Sequence, residues 1–210
     1  MKFITTQENK MKAKNFIKLL FTMAILGLVL SCSGSKIDYD ETDIPVYVFK
    51  NANKFIASKT GENFFENYIQ PDFDNCIRVE NGYFLVYKLY VPEKPFVKGD
   101  IRFTVDTLGN VNQKFEIFGI PECIKNPSDC KFTIDEKSAR SIAEQNGLEK
   151  GIKDWKLTFI YDPVYGKYVW NINSTLTENE GEFGYRASGQ EMIIDPSTGE
   201  VLSKNNWKIN

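Results

Sequence analysis

One strand–turn–strand pattern is written into this chain twice. Met192-Ile-Ile-Asp-Pro-Ser-Thr-Gly-Glu-Val-Leu202 runs from an apolar strand through Asp195 and Gly199 into a further strand. Phe103-Thr-Val-Asp-Thr-Leu-Gly-Asn-Val111 does the same, more loosely, through Asp106 and Gly109. An Asp carboxylate accepts hydrogen bonds from the backbone N–H groups that follow it, and Gly supplies the positive φ that closes the turn. Each copy closes a similar run of elements, so the sequence predicts two related α+β units.

Composition narrows what such units can do. The chain has 210 residues, 42% hydrophobic and 14% aromatic, enough for one sizeable core or two small ones. Residues 1–31 carry five Lys and one Glu, so the rest of the chain has a formal charge of −6. That sign lacks the basic stripe nucleic-acid binding requires, and no nucleic-acid partner is expected. The chain has no His, which removes Ser-His-Asp and Cys-His catalysis and the commonest zinc ligand together.

The N-terminal region reads as an address. Lys12, Lys14 and Lys18 precede an apolar run from Leu19 to Leu30, shorter than the roughly 20 residues of a spanning helix. Residues 1–31 are therefore expected to be a signal peptide. Val29-Leu30-Ser31-Cys32 resembles the bacterial lipoprotein signal, which implies lipidation of Cys32 and stable membrane anchoring. Residues 32–44 form an acidic tether with Asp38, Asp40, Glu41 and Asp43. Gly34, rather than Asp, at the second position after Cys32 implies outer-membrane sorting, and the tether is similar to those of Bacteroidetes lipoproteins. The expected location is the bacterial cell envelope, periplasm-facing or surface-exposed.

The first unit spans residues 45–120. Val46 to Phe49 suits either a short strand or a helix lead-in, and apolar residues at Phe55, Ile56, Phe64, Phe65, Tyr68 and Ile69 predict an amphipathic helix interrupted at Gly61 and stopped by Pro71. Cys76 to Val79 and Tyr83 to Val91 predict strands joined by a hairpin at Glu80-Asn-Gly82. Ile101 to Val105 and Val111 to Phe118 predict two more.

Residues 121–131 form a linker in which Cys123 and Cys130 are the expected disulfide partners in an oxidising envelope. Closing so short a loop stabilises by roughly 2–3 kcal/mol in the chain-entropy model. Cys76 is left over, either a reactive thiol or a small buried hydrophobe.

The second unit spans residues 132–210. Thr133 and Glu136 read as a capping box opening a helix that buries Ala139, Ile142 and Ala143 and ends at Gly147. Trp155 to Tyr161 and Lys167 to Leu176 predict a hairpin around Asp162-Pro-Val-Tyr-Gly166. Thr177 to Gly189 reads as a polar loop carrying Glu178, Glu180 and Glu182, and Gln190 to Ile194 and Glu200 to Ser203 complete the sheet. Ile56-Ala-Ser-Lys-Thr-Gly61 aligns with Ile142-Ala-Glu-Gln-Asn-Gly147, with both glycines expected in the left-handed conformation.

On these residues (the helix with Ala139, Ile142 and Ala143, the strand with Trp170, and the closing Ile194 to Leu202) the second unit resembles a PepSY-type domain. The resemblance covers residues 132–203 well and 50–113 loosely. It implies two tandem PepSY/cystatin-like units, each a helix packed on an antiparallel sheet. PepSY-like domains are associated with inhibiting or escorting secreted peptidases, and the tandem arrangement is similar to β-lactamase-inhibitor-type proteins.

The chemistry-bearing residues point the same way. The Glu178, Glu180 and Glu182 cluster offers carboxylates for acid–base work or simply a solvated tip. Asp106 and Asp195 suit turn capping better than calcium, since neither sits in a loop with a full oxygen-ligand set. Tyr83, Phe84, Tyr87, Trp155, Tyr168 and Trp170 suit sheet core better than a ligand platform. The expectation is a non-enzymatic, lipid-anchored envelope protein that binds a protein or peptide partner, possessing no catalytic, cofactor or metal site. The alternatives are a structural component of an envelope assembly and an enzyme using Cys76 or the loop carboxylates.

Overall fold

The computed structural model describes residues 43–181 and 184–210. Cys32, the residue 1–31 signal and nearly all of the tether lie outside the described residues. Among the described residues the fold is α+β, with three α-helices and two antiparallel four-stranded sheets.

Helix α1 (Val46–Thr60) buries Val48, Phe49, Ala52, Ile56, Ala57 and Thr60, a single stripe at helical spacing. Val46 to Phe49 is thus the first turn of the helix. Gly61 breaks it: its φ of +86° with ψ of 145° is positive but extended, so the expected left-handed termination is replaced by a sharper redirection into α2 (Glu62–Tyr68). Strands β1 (Ile69–Pro71) and β2 (Ile77–Val79) lie along one edge of β3 (Gly82–Tyr90), with β4 (Lys98–Asp106) along the other. Tyr83, Leu85, Tyr87 and Leu89 of β3 and Ile101, Phe103 and Val105 of β4 are buried. Strand alternation puts all seven on one face, and Phe55 of α1 meets Phe103 there at 5.8 Å between ring centroids. The strand expected at Val111 to Phe118 is reduced to two isolated bridges, Val105 with Val111 and Arg102 with Phe118. Arg102 and Phe118 exchange both backbone hydrogen bonds at 2.9 Å, and the Arg102 guanidinium lies over the Phe118 ring at 4.5 Å.

The second sheet is a simple meander of β5 (Lys156–Asp162), β6 (Lys167–Gly181), β7 (Gly184–Ile194) and β8 (Val201–Ile209). Helix α3 (Glu136–Gln145) covers one face, packing Ala139 and Ala143 against Trp170, Ile172, Met192 and Ile194. Two expectations need correction. The N-cap is Asp135, whose side chain accepts from Ser138 N, while the Thr133 hydroxyl donates to Ser197 O. Residues 177–181 and 184–189 are strand and not loop: β6 and β7 stay paired out to Gly181 and Gly184, and beyond Ala187, where β8 ends, they form a two-stranded arm. Residues 177–181 and 184–186 are exposed, so no apolar alternation betrays the arm. Strand β8 likewise runs to Ile209, well past Ser203.

Each sheet is thus preceded by helix, and β4 and β7 each end in an Asp turn that packs back on that helix. Gly109 (φ +83°) would place a Cβ 2.9 Å from Val48 Cα, and Gly199 (φ +80°) would place one 3.0 Å from Ile142 Cδ1. Asn51 of α1 donates to Leu108 O, and Ile134, just before α3, donates its backbone N–H to Pro196 O.

The layers meet in an aromatic seam. Tyr168 of β6 is 2% exposed and donates to Gly119 O at 3.0 Å. Its ring stacks on Phe159 and meets Phe132 and Tyr161 edge-on. A Cβ on Gly99 of β4 would lie 2.7 Å from the Tyr168 hydroxyl, so β4 approaches because residue 99 has no side chain. Tyr168→Phe should cost about 1–2 kcal/mol by urea titration, since it strands the Gly119 carbonyl. Gly99→Ala should cost about 1–3 kcal/mol through overpacking. Wild-type midpoints in both variants would contradict the packing described.

Candidate functional site

Cys76 sits in the break between β1 and β2. Its Sγ receives the Val86 N–H at 3.3 Å and lies 3.5 Å from Val86 O, filling the gap left in the strand ladder. Burial pushes its thiol pKa up and Asp72 adds to the rise, against the weaker pull of the Val86 N–H. A reactive thiolate needs the opposite shift. Arg78 contributes nothing to this shift.

The carboxylates are similarly engaged. Glu178 lies on the projecting arm, accepting from the Tyr185 hydroxyl at 2.7 Å and from Lys153 Nζ at 2.9 Å, and both contacts lower its pKa. Glu180 lies beyond it on the same exposed strand, and Glu182 is outside the described residues. Asp106 Oδ1 accepts from the Leu108 and Asn110 N–H groups, and Oδ2 accepts from the Asn110 amide. Asp195 Oδ1 accepts from the N–H groups of Ser197 and Thr198. Both aspartates are turn caps. Among the described residues, no group of three or more Cys, Asp or Glu side chains is arranged to hold a metal ion.

What sequence reasoning missed is the second Asp195 oxygen, which accepts from Lys167 Nζ at 2.7 Å. The same Nζ reaches Asp129 at 3.2 Å, and the two carboxylate side chains are only 6% and 8% exposed. Asp129 belongs to the loop closed by the Cys123–Cys130 disulfide, whose Cα atoms are 5.5 Å apart. Lys167 therefore ties the covalently closed linker to the turn between β7 and β8. A lone Lys after a hairpin glycine carries no local sign of such partners.

Of the predicted aromatics, Tyr83, Tyr87, Trp155, Tyr168 and Trp170 are buried, and Phe84 is half-buried on the helix-free face of its sheet. Two features remain open. A cleft of about 500 Å³ beside the end of α3 is lined by Arg140, Glu144, Lys150, Lys153, Asp154 and Trp155. Strand β8 pairs only with β7, leaving a nine-residue outer edge without a partner strand among the described residues.

No family model matches the chain, and no solved structure matches it. A stretch of 147 residues, 68% of the chain, is 25% identical to the protein translocase subunit SecA of Anaeromyxobacter sp. (strain Fw109-5), covering 14% of that protein. At that identity and coverage the match assigns no family.

The Lys167 triad makes a prediction in pH. Burial alone would raise the Asp195 carboxyl, but Lys167 and the Ser197 and Thr198 amides outweigh it and hold the pKa below its ordinary value. Asp195 therefore contributes stability above the unfolded value near 4 and loses it as pH falls through the lower folded value. For Lys167, burial lowers the pKa, but Asp195 and Asp129 together raise it. Its contribution is full below the unfolded value near 10 and is lost as pH rises through the higher folded one. Lys167→Met should destabilise by roughly 2–4 kcal/mol at neutral pH, and the deficit should shrink below about pH 4 as Asp195 protonates. Urea titrations across pH measure this; an unchanged midpoint at neutral pH would contradict the clamp.

Proposed function

We propose that the chain is a non-enzymatic, lipid-anchored protein of the bacterial envelope that binds a protein or peptide partner, built from two tandem PepSY-like units. The twofold run of helix, antiparallel strands and a helix-facing Asp turn, after β4 and again after β7, supports the tandem reading. The lipoprotein-like signal ending at Cys32 supports anchoring in the outer membrane. No described helix is long and apolar enough to cross a membrane.

The observation that carries the binding role is the outer edge of β8, which pairs with no strand among the described residues. An edge strand offers a row of backbone donors and acceptors to which an extended peptide adds as a further strand. Nine residues give that ladder a useful length, and the Asp195 turn and Lys167 fix the start of the strand. Lys204 is drawn aside to Gly147 O, so it does not blunt the middle of the edge. Inhibition of a secreted peptidase is one use of such an edge.

Immobilised residues 33–210 should retain a stoichiometric protein or peptide partner from solubilised envelopes. Asn205 and Asn206 are adjacent, so their backbone N–H groups aim to opposite sides of the strand. Of Asn205→Pro and Asn206→Pro, the one on the outward side should keep the fold and weaken capture about tenfold or more. Capture indifferent to that variant would remove the edge as the site. A turnover abolished by Cys76→Ala would replace the binding reading with an enzymatic one.

A further inference from the structure

The face of the second sheet opposite α3 carries an arrangement unlike either core. Strand register places Lys156 of β5, Asn173 of β6, Glu191 of β7 and Asn205 of β8 in one row across the sheet. Asn171 stands on the same face, donating its amide to Glu191 Oε1 at 2.7 Å, and Asn173 donates to Asn171 Oδ1. The second Glu191 oxygen and the Asn173 amide oxygen have no side-chain donor among the described residues. In the next row Trp207 lies opposite Gly189, and its indole occupies the space a side chain at 189 would fill, 2.5 Å from the position of a Cβ. The glycine lets the indole settle onto the sheet as a fixed, half-exposed platform beside the amide ladder.

We infer that this face is a binding site for an uncharged oligosaccharide. A sugar ring has an apolar C–H face and a rim of hydroxyls that each donate and accept. The indole suits the first, and planar amides and a carboxylate offering paired donors and acceptors suit the second. Charge complementarity favours a neutral ligand, because Lys156 and Glu191 are the only charges in the row and they cancel. From β5 to β8 the row crosses three interstrand spacings, about 14 Å, which accommodates several linked rings. The site uses side chains on the sheet face and does not depend on peptide capture at the β8 edge.

Tryptophan emission reports the site directly. Of the chain's three Trp, Trp170 is buried in the core and Trp155 lines the cleft beside α3, so the response is assigned to Trp207 by its loss in Trp207→Phe. The full chain, in a detergent without a sugar headgroup, is titrated with neutral hexasaccharides of glucose, mannose, xylose and N-acetylglucosamine in α and β linkages. At least one should give a saturable emission change. By calorimetry its affinity should fall at least about tenfold in Trp207→Ala and in Asn173→Ala, with circular dichroism unchanged, and should largely survive Trp207→Phe. Three results would each overturn the inference: no saturable response at millimolar saccharide, affinity unchanged in both alanine variants, or binding confined to charged saccharides or to peptides.

Discussion

Tyr168 is the residue on which the rest of the molecule hangs. Its ring is buried among Phe132, Phe159 and Tyr161 of the second half, while its hydroxyl reaches Gly119 O and abuts Gly99 of the first. Burial raises its pKa well above that of an ordinary phenol, so the hydroxyl remains a proton donor across the physiological range. The seam also holds Phe132 at a φ of +43°, a backbone state that bulky residues avoid. Such strain costs on the order of 1–3 kcal/mol, and the edge-on contacts with Phe159 and Tyr168 offset it. The chain reverses into its second half at this point.

Two further ties keep the linker in place around that seam. The Cys123–Cys130 disulfide closes the loop covalently, and Lys167 draws its Asp129 toward the Asp195 turn. The same turn launches β8, so the free edge and the indole platform are anchored at one end by a buried ion triad. Binding surfaces on fixed strands lose little entropy when a ligand docks, which suits the proposed recognition role.

Much of the fold was legible locally. The Asp106 and Asp195 turns, the interruption at Gly61, the hairpins at Gly82 and Gly166 and the linker disulfide all follow from residues close in sequence. What escaped depended on distant partners. Thr133 looked like a helix cap, yet Ser197, 64 residues on, takes its hydroxyl and leaves Asp135 to cap the helix. The paired ends of β6 and β7 read as loop because their exposed residues, 177–181 and 184–186, carry no hydrophobic period. Lys167 and Trp207 gave no signal at all, since a carboxylate pair and a bare glycine across the sheet decide their roles. The candidate catalytic groups, Cys76 and Glu178, were visible in sequence, but only the structure shows that each is already committed to a local contact.

Native-state hydrogen exchange tests the lock between the two layers most directly. Amides of β3 and β6, the central strands of the two sheets, are followed across increasing denaturant. If the seam makes the layers one body, both sets exchange through the same global opening, with equal free energies and equal denaturant dependence. Exchange of β3 by a lower-energy opening while β6 stays protected would contradict it.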